Sequence, residues 1–86
     1  MAKVDLRNPN VLRNISTPVL AHVRYINGPG SQHPGEQSKR LLLVTNTTDT
    51  LIEGNDFSRD GEFRRFRRDH IIGAEILGAL LPVVGV

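Results

Sequence analysis

Short apolar and β-branched runs, each stopped by Gly, Pro, Asn or Asp, predict an all-β fold of five strands bent strongly into a small barrel. Thr17-Pro18-Val19-Leu20-Ala21-His22-Val23-Arg24-Tyr25-Ile26 ends at Asn27-Gly28-Pro29-Gly30, a strand meeting a turn. Leu41-Leu42-Leu43-Val44 is a continuous apolar run of strand length, and Asp60-Gly61 is the pair expected where two strands turn back tightly. The 86 residues suit one domain, near the size at which burial only just offsets chain entropy. With 38% hydrophobic residues, three Phe, one Tyr and no Trp, the core has to be built chiefly of Val, Leu and Ile. Homodimerisation would extend such a core.

Residues 1–16 form an N-terminal arm, 17–77 the barrel and 78–86 an apolar C-terminal tail. The arm is polar, and Asn8-Pro9-Asn10 followed by Val11-Leu12-Arg13 predicts either one short helical turn or an extended segment. The first strand runs to Ile26. Asn27 to Ser38 is too polar and turn-prone for regular structure and predicts a mobile loop. Lys39 to Thr45 is the second strand, its apolar run suggesting burial on both faces or an oligomer contact. Asn46-Thr47-Thr48-Asp49 turns the chain into a third strand over Thr50 to Asp56. An arginine-rich strand follows Gly61, and a fifth runs from Asp69 to Leu77 with Ile72, Ala74 and Ile76 on one face. The tail from Gly78 to Val86 fits packing over an open barrel end or against a partner subunit. Five strands with these turns suggest a barrel of SH3 or Sm type with a short N-terminal helical turn or arm.

The arginine-rich strand is the segment most able to carry a function. Arg59, Arg64, Arg65, Arg67 and Arg68 are a large part of the 11 basic side chains. The planar guanidinium forks onto phosphate and stacks on rings, which a lysine does not. These arginines, with His70 beside them, are the candidate nucleic-acid or nucleotide-binding residues. The competing reading is a solvated strand face, the arginines paired with Asp56, Asp60, Glu62 or Asp69 and blocking edge-to-edge association. Phe63 and Phe66 are three apart, so strict alternation puts them on opposite faces; a β-bulge near Arg64-Arg65 would bring both rings into the core, and one is expected there. His70 reads as a polar strand residue rather than a catalytic base.

Thr50 to Ile71, and above all Arg64, Phe66, Arg67 and Ile71, resembles the core of a WYL domain. In that family a strand of the form tryptophan-tyrosine-leucine is followed by a hairpin and an arginine-x-phenylalanine-arginine strand. The resemblance covers about residues 41–77, with Leu51 on the leucine of the naming triplet. Asp49 and Thr50 stand where the family has tryptophan and tyrosine, and His70 stands where it usually has arginine. The resemblance implies an Sm-like barrel whose arginine strand senses a nucleic acid or nucleotide in a regulatory role.

Composition narrows the function classes. There is no cysteine, hence neither a disulfide, a thiolate metal site nor a cysteine nucleophile. His22, His33 and Glu36 have no metal-site spacing, so neither a metal nor another cofactor is expected. Ser58-Arg59-Asp60 is not a nucleophile elbow, and Gly28, Gly30 and Gly35 are not followed by the Lys-Ser/Thr of a phosphate loop. A non-enzymatic protein is therefore expected. Met1-Ala2-Lys3-Val4-Asp5 lacks a signal peptide's apolar stretch and nothing reads as a membrane span, which predicts a cytoplasmic location. Two functions fit: a module binding single-stranded nucleic acid or a nucleotide, or a small interaction or inhibitor module docking on a larger protein through Leu41-Leu42-Leu43-Val44 and the tail.

Overall fold

Alternation along each run decides which side chains face inward, and the computed structural model describes the outcome for residues 2–15 and 17–79. Strands β1 (Ala2–Val4), β2 (Val19–Ile26), β3 (Gln37–Thr47), β4 (Leu51–Asp56), β5 (Glu62–Arg67) and β6 (Ile71–Ala79) form one antiparallel sheet in the order β1-β6-β2-β3-β4-β5. The all-β class and all five expected strands are present. The sixth is β1, which the arm supplies in its extended form by pairing Ala2, Lys3 and Val4 with Ile76, Glu75 and Ala74 of β6.

Ala21 and Val23 on β2, Leu42 and Val44 on β3, Ile52 on β4, Phe66 on β5 and Ile71 on β6 fill the inner face. Each large side chain among them contributes about 1.5–3 kcal/mol by leaving water. Two strands, β3 and β4, separate β2 from β5 in the sheet order, and in a flat sheet about 14 Å would lie between them. Yet Tyr25 of β2 and Phe66 of β5 meet edge to face with ring centroids 5.1 Å apart. The sheet therefore curls strongly onto its own inner face.

The devices that bend it lie on other strands than expected. Pairing of β4 with β5 is regular from Leu51↔Arg67 to Asp56↔Glu62, with no bulge at Arg64-Arg65. The register shifts instead at Thr45 on β3 and on β6, where Ile72 and Leu77 are passed over between paired neighbours. Ile71, not Ile72, consequently joins Ala74 and Ile76 on the core side. The apolar run of β3 is divided in the same way: Leu42 and Val44 are buried, whereas Leu41 and Leu43 lie half-buried on the outer face.

Beyond β1 the arm forms successive turns rather than a helix. Asn8 and Asn10 form an Asx turn, the Asn10 amide donating to the Asn8 side-chain oxygen at 3.0 Å and the Val11 amide to the Asn8 carbonyl at 3.0 Å. Leu6 is 1% exposed and belongs to the core. Its polar neighbours Asp5, Arg7 and Asn8 hid it from any reading by periodicity. Between β2 and β3 the loop is closed by the Asn27 amide on the Glu36 carbonyl and the Gly35 amide on the Asn27 carbonyl, both at 2.9 Å. The β4–β5 connection is a 3-10 turn over Phe57–Arg59, followed by Asp60 and Gly61 with φ of 58° and 74°. Asp and Gly suit this left-handed pair, though the turn is longer than a two-residue hairpin. The tail, expected to pack over an open barrel end or against a partner subunit, lies outside the described residues from Leu80 onward.

Candidate nucleic-acid interface

Regular pairing on β5 sorts its side chains by parity. Phe66 faces the core beside Ile52, and Arg64 and Glu62 share its parity opposite Gly54 and Asp56. Phe63, Arg65 and Arg67 take the other parity, opposite Asn55, Glu53 and Leu51, and face solvent. Phe63 is thus 55% exposed where a core position was expected, while Phe66 is 3% exposed. The Arg65 guanidinium carbon lies 5.7 Å from the centre of the Phe63 ring, within cation–π range. Among the described residues β5 ends the sheet order, so this face borders a sheet edge.

Each exposed arginine of the strand has a carboxylate nearby. Arg65 Nε donates to Glu53 at 2.6 Å, and Arg67 grips Asp69 through Nε and Nη2 at 3.1 and 2.9 Å. Arg64 stands 4.0 Å from Glu62. The hydrogen bond from Arg65, with help from Asn46, holds the Glu53 carboxyl below its ordinary value. The fork from Arg67 does the same to Asp69. The exposed pairs Arg64–Glu62 and Arg67–Asp69 are worth about 0–1 kcal/mol each, whereas Glu53 is half-buried beneath Arg65. Arg59 sits exposed in the 3-10 turn at the end of the hairpin, without an ion-pair partner among the described residues.

Two of the expected binding residues are committed elsewhere. Arg68 is 2% exposed. Its Nε donates to the Thr48 carbonyl at 2.8 Å, and its Nη1 lies 3.0, 3.1 and 2.8 Å from the carbonyls of Leu6, Asn8 and Val11. Burial pulls its pKa below the usual arginine value, opposed by the charge of Asp49. Arg68 therefore fastens the arm to the end of β5 and offers no charge to a ligand. His70 lies in a second 3-10 turn, Arg68–His70, rather than in a strand. It packs on Tyr25, with Nδ1 3.4 Å from the tyrosine hydroxyl and ring centroids 5.7 Å apart.

The outward-facing set is thus Phe63, Arg65 and Arg67, with Arg59 at the hairpin end and Arg64 on the inward parity. Simple alternation counted from Phe66 is the signal that finds Phe63. His22 lies on the outer face of β2, remote in register from His33 and Glu36, which approach to 3.7 Å within the β2–β3 loop. Among the described residues no three His, Cys, Asp or Glu side chains cluster as metal ligands, and no helix is long and apolar enough to cross a membrane. No protein-family model, curated protein or solved structure matches the chain.

Proposed function

We propose that the protein is a non-enzymatic, WYL-like module that binds single-stranded nucleic acid on the outer face of β5 in a regulatory role. The observation that carries this reading is the alternation Phe63, Arg65, Arg67 on one solvent-facing side of an edge strand. Single strands are held by cations that track the backbone and by exposed rings on which bases stack, and every base has a face to stack. Phe63 supplies the ring; Arg65, Arg67 and Arg59 supply phosphate contacts that position the strand without reading its sequence. The arginine-x-phenylalanine-arginine motif of the resemblance, Arg64 to Arg67, lies wholly on this strand, with its phenylalanine in the core and its second arginine outside.

The test is fluorescence anisotropy of labelled single-stranded DNA and RNA at about 50 and about 200 mM salt. Three phosphate contacts predict a loss of affinity of about twentyfold between the two conditions. Replacing Arg65 and Arg67 together with alanine is expected to abolish binding, and Phe63→Ala to weaken it roughly tenfold through lost stacking. Absence of binding in the wild-type protein, or binding indifferent both to salt and to these variants, overturns the reading. Salt-insensitive association with a protein instead would favour docking through the outer-face leucines Leu41 and Leu43.

A further inference from the structure

A concavity lies away from β5, on the outer face where β1, β6, β2 and β3 run side by side. It encloses about 610 Å³, and Lys3, His22, Arg24, Lys39, Gly73 and Glu75 are among the residues that line it. This size falls in the range of small-molecule sites, roughly 300–1,000 Å³. The register builds it in two rows. Lys39, Arg24 and Gly73 lie directly across from one another on β3, β2 and β6. His22, Glu75 and Lys3 form the neighbouring row on β2, β6 and β1.

Three features mark this groove as more than a solvated sheet face. Lys39 and Arg24 are like charges placed directly opposite each other, an arrangement that disfavours strand pairing. None of Lys3, Arg24 and Lys39 has a carboxylate within ion-pair distance among the described residues, whereas Arg64, Arg65 and Arg67 each have one. Among the described residues the only carboxylate lining the groove is Glu75, which leaves three cations facing one anion. Finally, Gly73 opens the floor: a Cβ there would stand 3.1 Å from both Nε and Nη2 of Arg24, so the guanidinium lies across the backbone of β6. That places a forked donor between two ammonium groups from flanking strands.

We propose that this groove is a site for a di- or triphosphate group, carried by a nucleotide or present as free inorganic polyphosphate. Arg24 presents its fork to one phosphate, and Lys3 and Lys39 meet the remaining charge as point cations from either side. A bound anion removes the repulsion between Lys39 and Arg24 that the empty groove retains. The groove involves none of the β5 residues, and its assignment does not rest on single-strand binding there.

The experiment is a ¹H–¹⁵N correlation titration of the full chain with inorganic pyrophosphate and, separately, with ADP. Saturable shifts centred on Arg24, Lys39, Gly73 and Glu75 are expected with both probes. Equal affinities assign recognition to the phosphates alone; tighter binding of ADP adds a contribution from the nucleoside. The Arg24→Ala/Lys39→Ala variant is expected to lose roughly a hundredfold in affinity, about tenfold per charge-assisted contact. Gly73→Ala changes no charge and meets only the flexible end of Arg24, so it keeps the fold while displacing the guanidinium; a loss of roughly tenfold is expected. Arg65→Ala/Arg67→Ala leaves both affinities unchanged. Non-saturable shifts spread over all basic residues, shifts confined to β5, or wild-type affinity in Arg24→Ala/Lys39→Ala would each overturn the proposal.

Discussion

Arg68 illustrates how a single side chain can leave the role its neighbours suggest. A cation placed among main-chain carbonyls satisfies acceptors that a turn-rich arm cannot satisfy by itself. Arg68→Ala strands those carbonyls in a buried place and is expected to cost about 3 kcal/mol in a urea titration; Arg68→Lys, whose single ammonium cannot span the same acceptors, about 2 kcal/mol. Arg40 and Asp56 form a second interior fixture, with Nη1 3.1 Å from the carboxylate and exposures of 7% and 0%. Asp56 also accepts the Ser58 amide at 2.9 Å, and the Ser58 hydroxyl accepts the Leu41 amide at 3.0 Å, which ties the hairpin connection to β3. Arg40→Ala leaves the Asp56 charge buried and alone, with an expected loss of about 3–5 kcal/mol, whereas replacing both partners by apolar residues should cost less. Chemical denaturation of the single and double variants measures that difference. At Gly54 a Cβ would stand 2.0 Å from the Leu43 carbonyl oxygen, a backbone atom that cannot step aside. Gly54→Ala is expected to destabilise by about 3 kcal/mol or more, read from the same titration.

Strand β5 is the element on which fold and site meet. Its regular register forces the two phenylalanines apart, and the consequences for stability and binding separate with them. Phe66→Ala empties a core position and should cost about 3–5 kcal/mol, while Phe63→Ala should leave the unfolding midpoint almost unmoved. Equal losses for the two would contradict the register. The ion pairs across this face give a second measurement. Arg65 is the main cause of the lowered Glu53 pKa and Asn46 the next, so in Arg65→Ala the carboxyl should rise toward 4.5 without fully reaching it. A carbon-detected NMR titration of the Glu53 side chain reads the change. If single strands bind on this face as proposed, the same carboxylates compete with phosphate for the arginines, and Glu53→Gln and Asp69→Asn are expected to strengthen that binding several-fold at low salt.

For the molecule as a whole, Glu53, Asp69 and Asp5 all have folded pKa values below their ordinary ones, each chiefly through a neighbouring arginine. Their stabilisation is therefore present above the unfolded values of 4.5 and 3.8 and is lost as pH falls through the lower folded values. Urea midpoints should decline between about pH 5 and pH 3, and less steeply in Glu53→Gln/Asp69→Asn; because Asp5 and Asp69 are exposed and Glu53 is only partly buried, the effect is small. The positions of β2 to β6, the hairpin at Asp60-Gly61 and the concentration of arginines on one strand were legible in the sequence, because alternation and turn chemistry act between residues close in the chain. Three things were not. The choice between the two expected forms of the arm, and the place of Leu6 in the core, depend on β6, which is made from the other end of the described chain. The bulges fell at Thr45, Ile72 and Leu77 because curvature has to be distributed over a whole curled sheet, and no local preference selects the strand that bends. The groove joining Lys3, Arg24 and Lys39 left no trace as a charge run, since its cations come from three strands and meet only through register. The sequence by itself determined where β2 to β6 run and where the chain turns between them; the tertiary structure decided where the register shifts, and with it which side chains face the core on β5 and β6 and which cations are buried, paired or left facing solvent, because those outcomes depend on contacts between residues far apart in the chain.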